Sequence, residues 1–465
     1  MTGPGRTTIF APATATGRAG VAVVRISGPN AGPSLAALMG RKVNNLPAPR
    51  MATRTRFIDP ATGETLDDGL VLWFPAPRSF TGEDVAELHL HGSRSVIAAV
   101  MAALARQAGL RPAEAGEFTR RAFDAGKLDL AQVEGLADLV AAETEAQRRQ
   151  ARRQLDGALG RLTESWRTRL LRALAHAEAE IDFPDEDLPG GLIAALGGEL
   201  AAVRDEIRAH LADARRGERL REGLSIAILG PPNAGKSSLL NALAQREASI
   251  VSALAGTTRD VVEVQLDLGG YPVVIADTAG IRDTVENVGV ESGDRSHDLI
   301  EQEGIRRALA RAEAADLKIV VLDATAGEPD GAIAALIDAD AVVVLNKIDI
   351  APHAEPIVAG HVCRLSVRTG AGLGELLATL THEVERRLAV QEGAAPAITR
   401  ARHRVALEDC AAALDRALGN EEAGRAPELL AEDLRLAARA LGRITGRVGV
   451  EDVLDVIFRE FCIGK

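Results

Sequence analysis

Hydrophobic and polar positions divide the chain into stretches with different periods. From about Thr7 to Phe118, short β-like runs such as "GVAVVRISG", "GLVLWFPAP" and "VAELHLHG" are broken by Gly and Pro, with one helix-like stretch, "SRSVIAAVMAALARQAG". From about Leu128 the pattern has the period of long helices, and no proline occurs until Pro184. The pattern predicts a compact α/β domain followed by a helical bundle.

Strand-like and helix-like segments alternate in the middle of the chain, from about Leu224 to Glu385, and helical periodicity returns after "GAAPAI". Domain termini often lie close together, so an α/β domain can be inserted into a helical domain whose halves close around it. The sequence therefore predicts a multidomain α/β plus α fold. The predicted domains are 1–124 (N-terminal α/β), 125–222 (helical, first part), 223–386 (inserted α/β) and 387–465 (helical, second part).

Composition narrows the classes of protein. The 465 residues exceed what one core usually organises, and a net charge of −12 argues against a surface that attracts nucleic acid everywhere. The runs "AQRRQARRQL" and "ADARRGERLRE" are either local basic patches or solvated helix faces. Three widely spaced cysteines, with no apolar leader and no run near the ~20 residues of a membrane span, predict a cytoplasmic protein in a reducing compartment.

The apolar run "LSIAIL" leads into "GPPNAGKSSLLNAL", which matches the pattern G-x-x-x-x-G-K-[ST] at Gly230, Gly235, Lys236 and Ser237. Glycines allow backbone N–H groups to surround phosphate oxygens, and the helix that follows adds positive potential at its N-terminus. We expect Lys236 to reach the β- and γ-phosphates as a catalytic residue and the Ser237 hydroxyl to bind Mg²⁺.

Three more segments follow in the order typical of GTPases. "DTAG" follows "YPVVIA" and places Asp277 where it can hold Mg²⁺ through water, with the Gly280 N–H near the γ-phosphate. "NKID" ends the run "AVVVL", and a carboxylate there can accept the two hydrogen bonds that guanine, but not adenine, donates. "SVR" can supply a backbone N–H to guanine O6. These segments predict GTP as the nucleotide and a Ras-like P-loop G domain with a mostly parallel sheet.

The stretch "SALAGTTRD" lies where the first switch belongs, and Thr258 in it is a second candidate Mg²⁺ ligand. In GTPases with a similar pattern, the asparagine equivalent to Asn233 and carbonyls of this loop bind K⁺, which replaces an arginine finger. The other interpretation of Asn233 is an amide that caps its own turn. The candidate K⁺ ligands are Asn233, Ser252, Leu254 and Thr257.

The candidate GTP-binding residues all lie in these segments. They are Asn233, Ala234, Gly235, Lys236, Ser237, Ser238, Ser252, Ala253, Leu254, Ala255, Gly256, Thr257, Thr258, Asp277, Thr278, Ala279, Gly280, Asn346, Lys347, Asp349, Ser366, Val367 and Arg368.

The motifs "FTGEDVAELHLHGS", "AGEFTRRAFDAGKLDLAQVEGLADL", "IDFPDED" and "IVSALAGTTRD", together with the terminal "FCIGK", resemble those of the MnmE family, also called TrmE, over essentially the whole chain. The resemblance implies a homodimeric GTPase that acts with the FAD-dependent partner MnmG (GidA) as a heterotetramer. Such a complex adds an aminomethyl or carboxymethylaminomethyl group to C5 of the wobble uridine (U34) of certain tRNAs. The carbon comes from a tetrahydrofolate derivative, in the 5-formyl or 5,10-methylene form, and FAD enters only through the partner.

The resemblance also assigns candidate residues outside the nucleotide motifs. Folate contacts would be Arg25, Glu87, Lys127 and Lys465, since cations suit the anionic tail of folate and a carboxylate suits the N–H donors of its pterin. Cys462 is either a nucleophile toward the uridine or a small packed thiol, and the packed interpretation is favoured.

The residue that orients the hydrolytic water needs a separate assignment, because Ile281 stands where Ras-like proteins have a glutamine. Family members use a glutamate in a hydrophobic-Glu-x-x-Gly-hydrophobic frame, and the frame occurs twice here. Glu301 precedes the helix that leads into "LKIVVLD" and is our assignment, with Glu286 as the alternative.

A ribosome-assembly GTPase that acts as an RNA-binding switch shares the nucleotide motifs and is the main alternative function. Such proteins usually carry a basic RNA-binding module after the G domain, whereas the C-terminal segment here is helical and of mixed charge.

Overall fold

The computed structural model describes most of the chain, with gaps. The described residues are 7–15, 17–182, 192–213, 215–246, 263–277, 314–326, 329, 331–355, 362–389, 398–422, 427–448, 454, 457–458, 461 and 464. They form two compact units, one of residues 1–137, 154–190 and 419–465, and the other of residues 138–153 and 191–418.

The first unit begins with a six-stranded sheet within the described residues. Its strands are β1 (Thr8–Pro12), β2 (Ala19–Ser27), β3 (Thr53–Ile58), β4 (Thr65–Phe74), β5 (Val85–Gly92) and β6 (Leu110–Pro112), in the order β3-β4-β5-β2-β1-β6. All neighbouring pairs are antiparallel except β1 and β6. Alternate residues of β2 and β5 are buried, so one face of the sheet packs on the core and the other carries polar side chains.

Two helices cover the buried face of this sheet. They are α1 (Ala31–Leu38) and α2 (Arg94–Ala105), and a short 3₁₀ turn, Val43–Asn45, follows α1. The Ser93 side chain accepts a hydrogen bond of 3.2 Å from the Val96 N–H and so caps the start of α2. Leu35, Leu88 and Leu104 are completely buried in the core between helices and sheet.

A buried arginine connects the first strand to the helices that follow the sheet. Arg121 lies in α3 (Glu117–Asp124), and its guanidinium donates to Glu83 (2.9 Å), Glu117 (2.9 Å) and the Thr7 carbonyl (2.8 Å). Its side chain is 6 % exposed, so these three acceptors replace the water that the charge loses.

The rest of the first unit is helical. It contains most of α4 (Leu130–Ala141), the end of α5 (Glu145–Leu155), α6 (Ala158–Asp182) and a late helix, Pro427–Thr445. The late helix packs along α6 and forms an ion pair of 2.9 Å from Arg435 to Glu178. Arg447, in the turn after this helix, forms a second ion pair with α6, at 3.2 Å to Glu164.

The second unit is built on another six-stranded sheet of described residues. The strands are β7 (Leu224–Leu229), β8 (Glu263–Leu268), β9 (Tyr271–Asp277), β10 (Leu317–Asp323), β11 (Ala341–Asn346) and β12 (Val362–Arg364), in the order β12-β11-β10-β7-β9-β8. Among these pairs, β8 and β9 are antiparallel, and the others are parallel. The central strands are nearly continuous apolar runs, as strands buried on both faces are.

Helices surround this sheet and extend the unit. They are α7 (Leu192–Leu211), α8 (Arg216–Glu222), α9 (Lys236–Arg246), α10 (Gly331–Ala334), α11 (Leu373–Leu388) and α12 (Ala401–Glu422), so that the late helix of the first unit is α13.

The predicted fold class is confirmed: an N-terminal α/β part, helical segments on both sides of the insertion and a mostly parallel P-loop sheet. The four predicted domain ranges stay a prediction. Across the described ranges, the helices are all too short or too polar to cross a membrane.

Candidate functional site

The carboxyl ends of β7, β10 and β11 meet at one edge of the second sheet, where parallel α/β sheets usually bind ligands. The loop after β7 runs from Gly230 to Gly235 and opens α9. Gly230 has φ of 142°, and a Cβ there would lie 2.2 Å from the Val321 carbonyl oxygen of β10. The loop therefore crosses β10 so closely that only glycine fits.

The buried amide of Asn346 joins three of the predicted nucleotide segments. Its Nδ2 donates to the Ala234 carbonyl of the P-loop at 2.8 Å, and its Oδ1 accepts from the Val367 N–H at 3.1 Å. Asn346 is 3 % exposed, so both halves of the amide need these partners. Gly235, with φ of 98°, packs so closely that a Cβ would lie 2.3 Å from this Nδ2.

The P-loop side chains differ in their surroundings. Lys236 is buried, and its ammonium donates to the Gly230 carbonyl (3.0 Å) and the Pro231 carbonyl (2.8 Å), inside the turn that would receive phosphate. Ser237 is half-buried and Ser238 is exposed in the first turn of α9. Asn233 is exposed with φ of 60°, a left-handed conformation that asparagine tolerates.

The candidate guanine-reading carboxylate of Asp349 is held ionised. A hydrogen bond from the Ser366 hydroxyl and the adjacent Arg368 guanidinium lower the pKa of Asp349 below its ordinary value. Asp349 is 12 % exposed and its partner Arg368 is 75 % exposed. At neutral pH the group is therefore an acceptor, as recognition of two guanine donors requires.

One residue at this edge was missed by the sequence analysis. Asp323, the last residue of β10, accepts a hydrogen bond of 2.6 Å from the ammonium of Lys347. Lys347 has φ of 67°, so its backbone is also in the left-handed region. The available signal was an aspartate at the end of a buried strand adjacent to the "NKID" strand.

Several candidate residues lie outside the described part of the chain. The backbone of Asp277 is described: it ends β9 and pairs in register with Ile228. The candidates outside the described residues are Ser252, Ala253, Leu254, Ala255, Gly256, Thr257, Thr258, Thr278, Ala279, Gly280, Glu286, Glu301, Cys462 and Lys465.

A second candidate site centres on Arg25 in the first unit. Arg25 and Glu87 are paired in register on β2 and β5, and their side chains form an ion pair of 2.8 Å. The guanidinium also lies 5.6 Å from the ring centroids of Phe80 and of the fully buried Phe118. The Arg25 cation, the Glu87 carboxylate and the exposed Phe80 ring are groups that an anionic ligand with a flat heterocycle would use, whereas the buried Phe118 ring packs against Arg25 from within.

The end of the chain reaches this second site. The Gly464 carbonyl accepts from Arg25 Nη1 at 3.5 Å. Gly464 has φ of 101°, and a Cβ there would lie 2.0 Å from the Pro12 carbonyl oxygen. Phe458 and Phe461 are buried in a cluster with Leu130. These contacts hold Gly464 beside Arg25.

Lys127 is another of the candidate folate-binding residues. Its side chain is exposed, and its ammonium donates to the Pro77 carbonyl at 2.6 Å. A Cβ on Gly82 would lie 3.4 Å from the Lys127 side chain, which places Lys127 against the loop that carries Phe80.

Two of the three cysteines lie in described ranges, and both are buried. Burial raises the pKa of Cys410 to about 12. Burial also raises the pKa of Cys363, whose Sγ lies 3.7 Å from the Thr379 hydroxyl. Neither thiol is a nucleophile at neutral pH.

Two family models match nearly the whole chain. The model described as GTP-binding protein TrmE N-terminus matches residues 8–127, and the model described as MnmE helical domain matches residues 130–462.

Curated relatives match the chain from end to end. The tRNA modification GTPase MnmE of Parvibaculum lavamentivorans is 60 % identical over 98 % of this chain and 100 % of its own length. The protein of the same description from Paramagnetospirillum magneticum is 57 % identical over 98 % of this chain and 99 % of its own. The solved G domain of the T. maritima FeoB iron transporter is 25 % identical over 35 % of this chain and 98 % of that chain, with a TM-score of 0.25, too low to support a shared fold.

Replacing Gly235 by alanine is expected to disrupt the nucleotide site through Asn346. The new Cβ would lie 2.3 Å from the Asn346 amide in a backbone conformation that alanine disfavours. The dissociation constant for a fluorescent GDP analogue should rise about 10-fold or more, as expected for a few kcal/mol of strain.

The matched control is Gly374→Ala in α11, where an added Cβ has no heavy atom within 4 Å. Its GDP affinity should stay within about twofold of the unmodified chain, because no contact changes. Unchanged affinity in Gly235→Ala would contradict the account.

Proposed function

The chain belongs to the MnmE family of tRNA modification GTPases, and we propose on this basis that its GTP hydrolysis depends on K⁺ and serves tRNA modification with an FAD-dependent partner. The chain is a GTP-hydrolysing enzyme. In the proposed reaction an aminomethyl or carboxymethylaminomethyl group is added to C5 of the wobble uridine (U34) of certain tRNAs, in the cytoplasm.

One observation supports nucleotide binding most directly. Asn346 brings the P-loop, the "NKID" segment and the "SVR" segment together, and the ionised Asp349 stands in the same segment. In this arrangement the P-loop amides would face phosphate and Asp349 would accept from the guanine N1–H and exocyclic amine.

Hydrolysis requires that charge on the phosphates be neutralised. Lys236 already points into the P-loop turn, where its ammonium can exchange the Gly230 and Pro231 carbonyls for phosphate oxygens. Hydroxyl oxygens of Ser237 and Thr258 suit Mg²⁺, with Asp277 acting through water. Mg²⁺ bound there would neutralise the β- and γ-phosphates.

The proposed K⁺ site uses Asn233 with Ser252, Leu254 and Thr257. The exposed, left-handed Asn233 keeps its side chain at the surface of the P-loop, as a ligand to a shared cation would. K⁺ bound there would supply the positive charge that an arginine finger supplies in other GTPases. Glu301, with Glu286 as the alternative, would orient the attacking water.

The one-carbon chemistry is proposed for the Arg25 site. Arg25, Glu87, Lys127 and Lys465 would bind a tetrahydrofolate derivative in the 5-formyl or 5,10-methylene form. The Arg25 guanidinium would bind an anionic group, Glu87 would accept from pterin N–H donors, and Phe80 would stack on the ring.

The proposed assembly follows the family. The chain would form a homodimer and, with the FAD-dependent MnmG (GidA), a heterotetramer that acts on tRNA. FAD would enter only through that partner. Cys462 would be a packed thiol, with a nucleophilic role as the alternative.

The cation dependence is tested by GTP turnover in K⁺ against Na⁺ at equal ionic strength, with Mg²⁺ in both and with or without the partner. Turnover should be about 10-fold or more faster in K⁺, because a fixed cation stabilises charge that develops in the transition state. GDP affinity, which does not need that charge, should be the same in both buffers. Equal turnover would contradict the proposal.

The same assay in K⁺ separates the two glutamates. Glu301→Ala should lower kcat about 100-fold, the usual effect of losing a residue that positions or deprotonates water. Glu286→Ala should keep the normal kcat. The opposite result would transfer the role to Glu286.

Folate binding is tested by calorimetric titration of the full chain with 5-formyltetrahydrofolate. Arg25→Met should weaken binding about 10-fold or more, the cost of losing a hydrogen bond to a charged group. Arg56→Met is the control, since Arg56 lies on the same sheet in an exposed ion pair of 3.4 Å with Asp68. Equal affinities in both variants would contradict the assignment.

A further inference from the structure

Asp323 occupies the centre of the nucleotide edge of the sheet. It is the last residue of β10, which lies between β7, the P-loop strand, and β11, the "NKID" strand. Asp323 pairs in register with Asn346, the residue that connects the nucleotide segments. Its side chain is 14 % exposed. Keeping a carboxylate ionised at such a position costs free energy unless hydrogen-bond donors or a cation compensate for the lost water.

The two oxygens of this carboxylate have different partners. Oδ1 accepts from the Thr325 N–H at 2.9 Å and from the Thr325 hydroxyl at 2.7 Å, which closes the turn after β10. Oδ2 accepts from the Lys347 ammonium at 2.6 Å. One oxygen therefore supports the local turn, and the other holds a side chain from a different strand end.

These bonds keep Asp323 charged. Burial by itself raises the pKa of Asp323, but the hydrogen bonds from Lys347 and Thr325 lower it by more, so that the pKa lies below its ordinary value. The ion pair with Lys347 is thus complete at neutral pH.

Lys347 is fixed at both ends of its side chain. Its backbone has φ of 67° and follows Asn346, whose carbonyl accepts from the Ala324 N–H at 2.9 Å. Its ammonium is bound at the end of β10. The four-carbon stem therefore stretches along the edge of the sheet from β11 to β10, two residues before the candidate guanine-reading Asp349. A lysine stem held in this way offers an apolar surface to a flat ring.

We propose that Asp323 is a positioning residue for guanine nucleotide binding, which holds the Lys347 ammonium so that the lysine stem lies against the purine ring. The proposal rests on the proposed function of this edge as a GTP site. Asp323 itself touches no nucleotide. Asp323 affects the affinity for guanine nucleotides by positioning Lys347, whereas Asp349 discriminates guanine from other bases.

The test variant is Asp323→Asn, which keeps an oxygen for Thr325 and places an NH₂ group against the Lys347 ammonium. The dissociation constants of fluorescent GDP and GTP analogues should rise about 10-fold, as expected for one lost charge-assisted hydrogen bond, with KM for GTP rising in parallel. The kcat at saturating GTP should stay within about twofold, because the phosphates and Mg²⁺ ligands are unaffected.

Two comparisons separate positioning from a structural role. Thr325→Val removes a hydroxyl bond to Oδ1 but leaves the Lys347 pair, so its affinity should match that of the unmodified chain. In a Lys347→Met background, Asp323→Asn should cause no further loss, because the residue through which it acts is gone. The preference for GTP over ITP, which lacks the exocyclic amine, should be equal in Asp323→Asn and the unmodified chain.

Other results would overturn the proposal. Normal GDP affinity in Asp323→Asn would exclude any role for the pair. An equal loss in Thr325→Val, or an undiminished loss in the Lys347→Met background, would assign the effect to the turn. If the unmodified chain failed to bind GDP, the proposed GTP site and this inference would fail together, whereas normal binding with an unaffected Asp323→Asn would overturn the inference alone.

Discussion

The buried amide of Asn346 is the interaction on which the nucleotide edge depends. Both of its polar atoms are bonded to backbone of other segments, one to the P-loop and one to the loop after β12. An unpaired buried amide is costly, so the strand that carries it and the two loops are favoured in one arrangement. Gly235 reinforces the constraint because its missing Cβ leaves the room that the amide occupies. The Asn346 amide thus sets the spacing between the P-loop and the loop after β12.

At the second site, a charged group connects separate segments in the way that the Asn346 amide does at the first. Arg25 is held between Glu87, two aromatic rings and the Gly464 carbonyl, so residues from β2, β5 and the end of the chain meet at one guanidinium. The buried Arg121 stabilises the surrounding framework through Glu83 and Glu117. The aromatic cluster of Phe458 and Phe461 keeps the chain end near this framework. In the proposed function, the end of the chain therefore contributes to folate binding as a structural element.

Local pattern was sufficient for the parts of the structure that obey local rules. The apolar runs of β7, β10 and β11 and the glycines of the P-loop identified the parallel sheet and its nucleotide edge. The position of Asp323 at the end of an apolar strand was visible in the sequence, but its pairing with Lys347 was not, because the two residues are 24 positions apart and no short motif links them. Likewise, "EFTRRAFD" gives no sign that Arg121 is buried while its neighbour Arg120 is exposed. Such pairings join residues that are far apart in the sequence, so no short motif reveals them.

The most direct test of this account is hydrogen exchange combined with GDP binding in Asn346→Asp. This change keeps the size of the side chain but replaces the Nδ2 donor by an oxygen that faces the Ala234 carbonyl. We predict a loss of GDP affinity of about 100-fold, together with faster exchange at the P-loop and at 366–370, while β10 remains protected. Affinity within about twofold of the unmodified chain, with unchanged exchange in both loops, would contradict the claim that this amide organises the site.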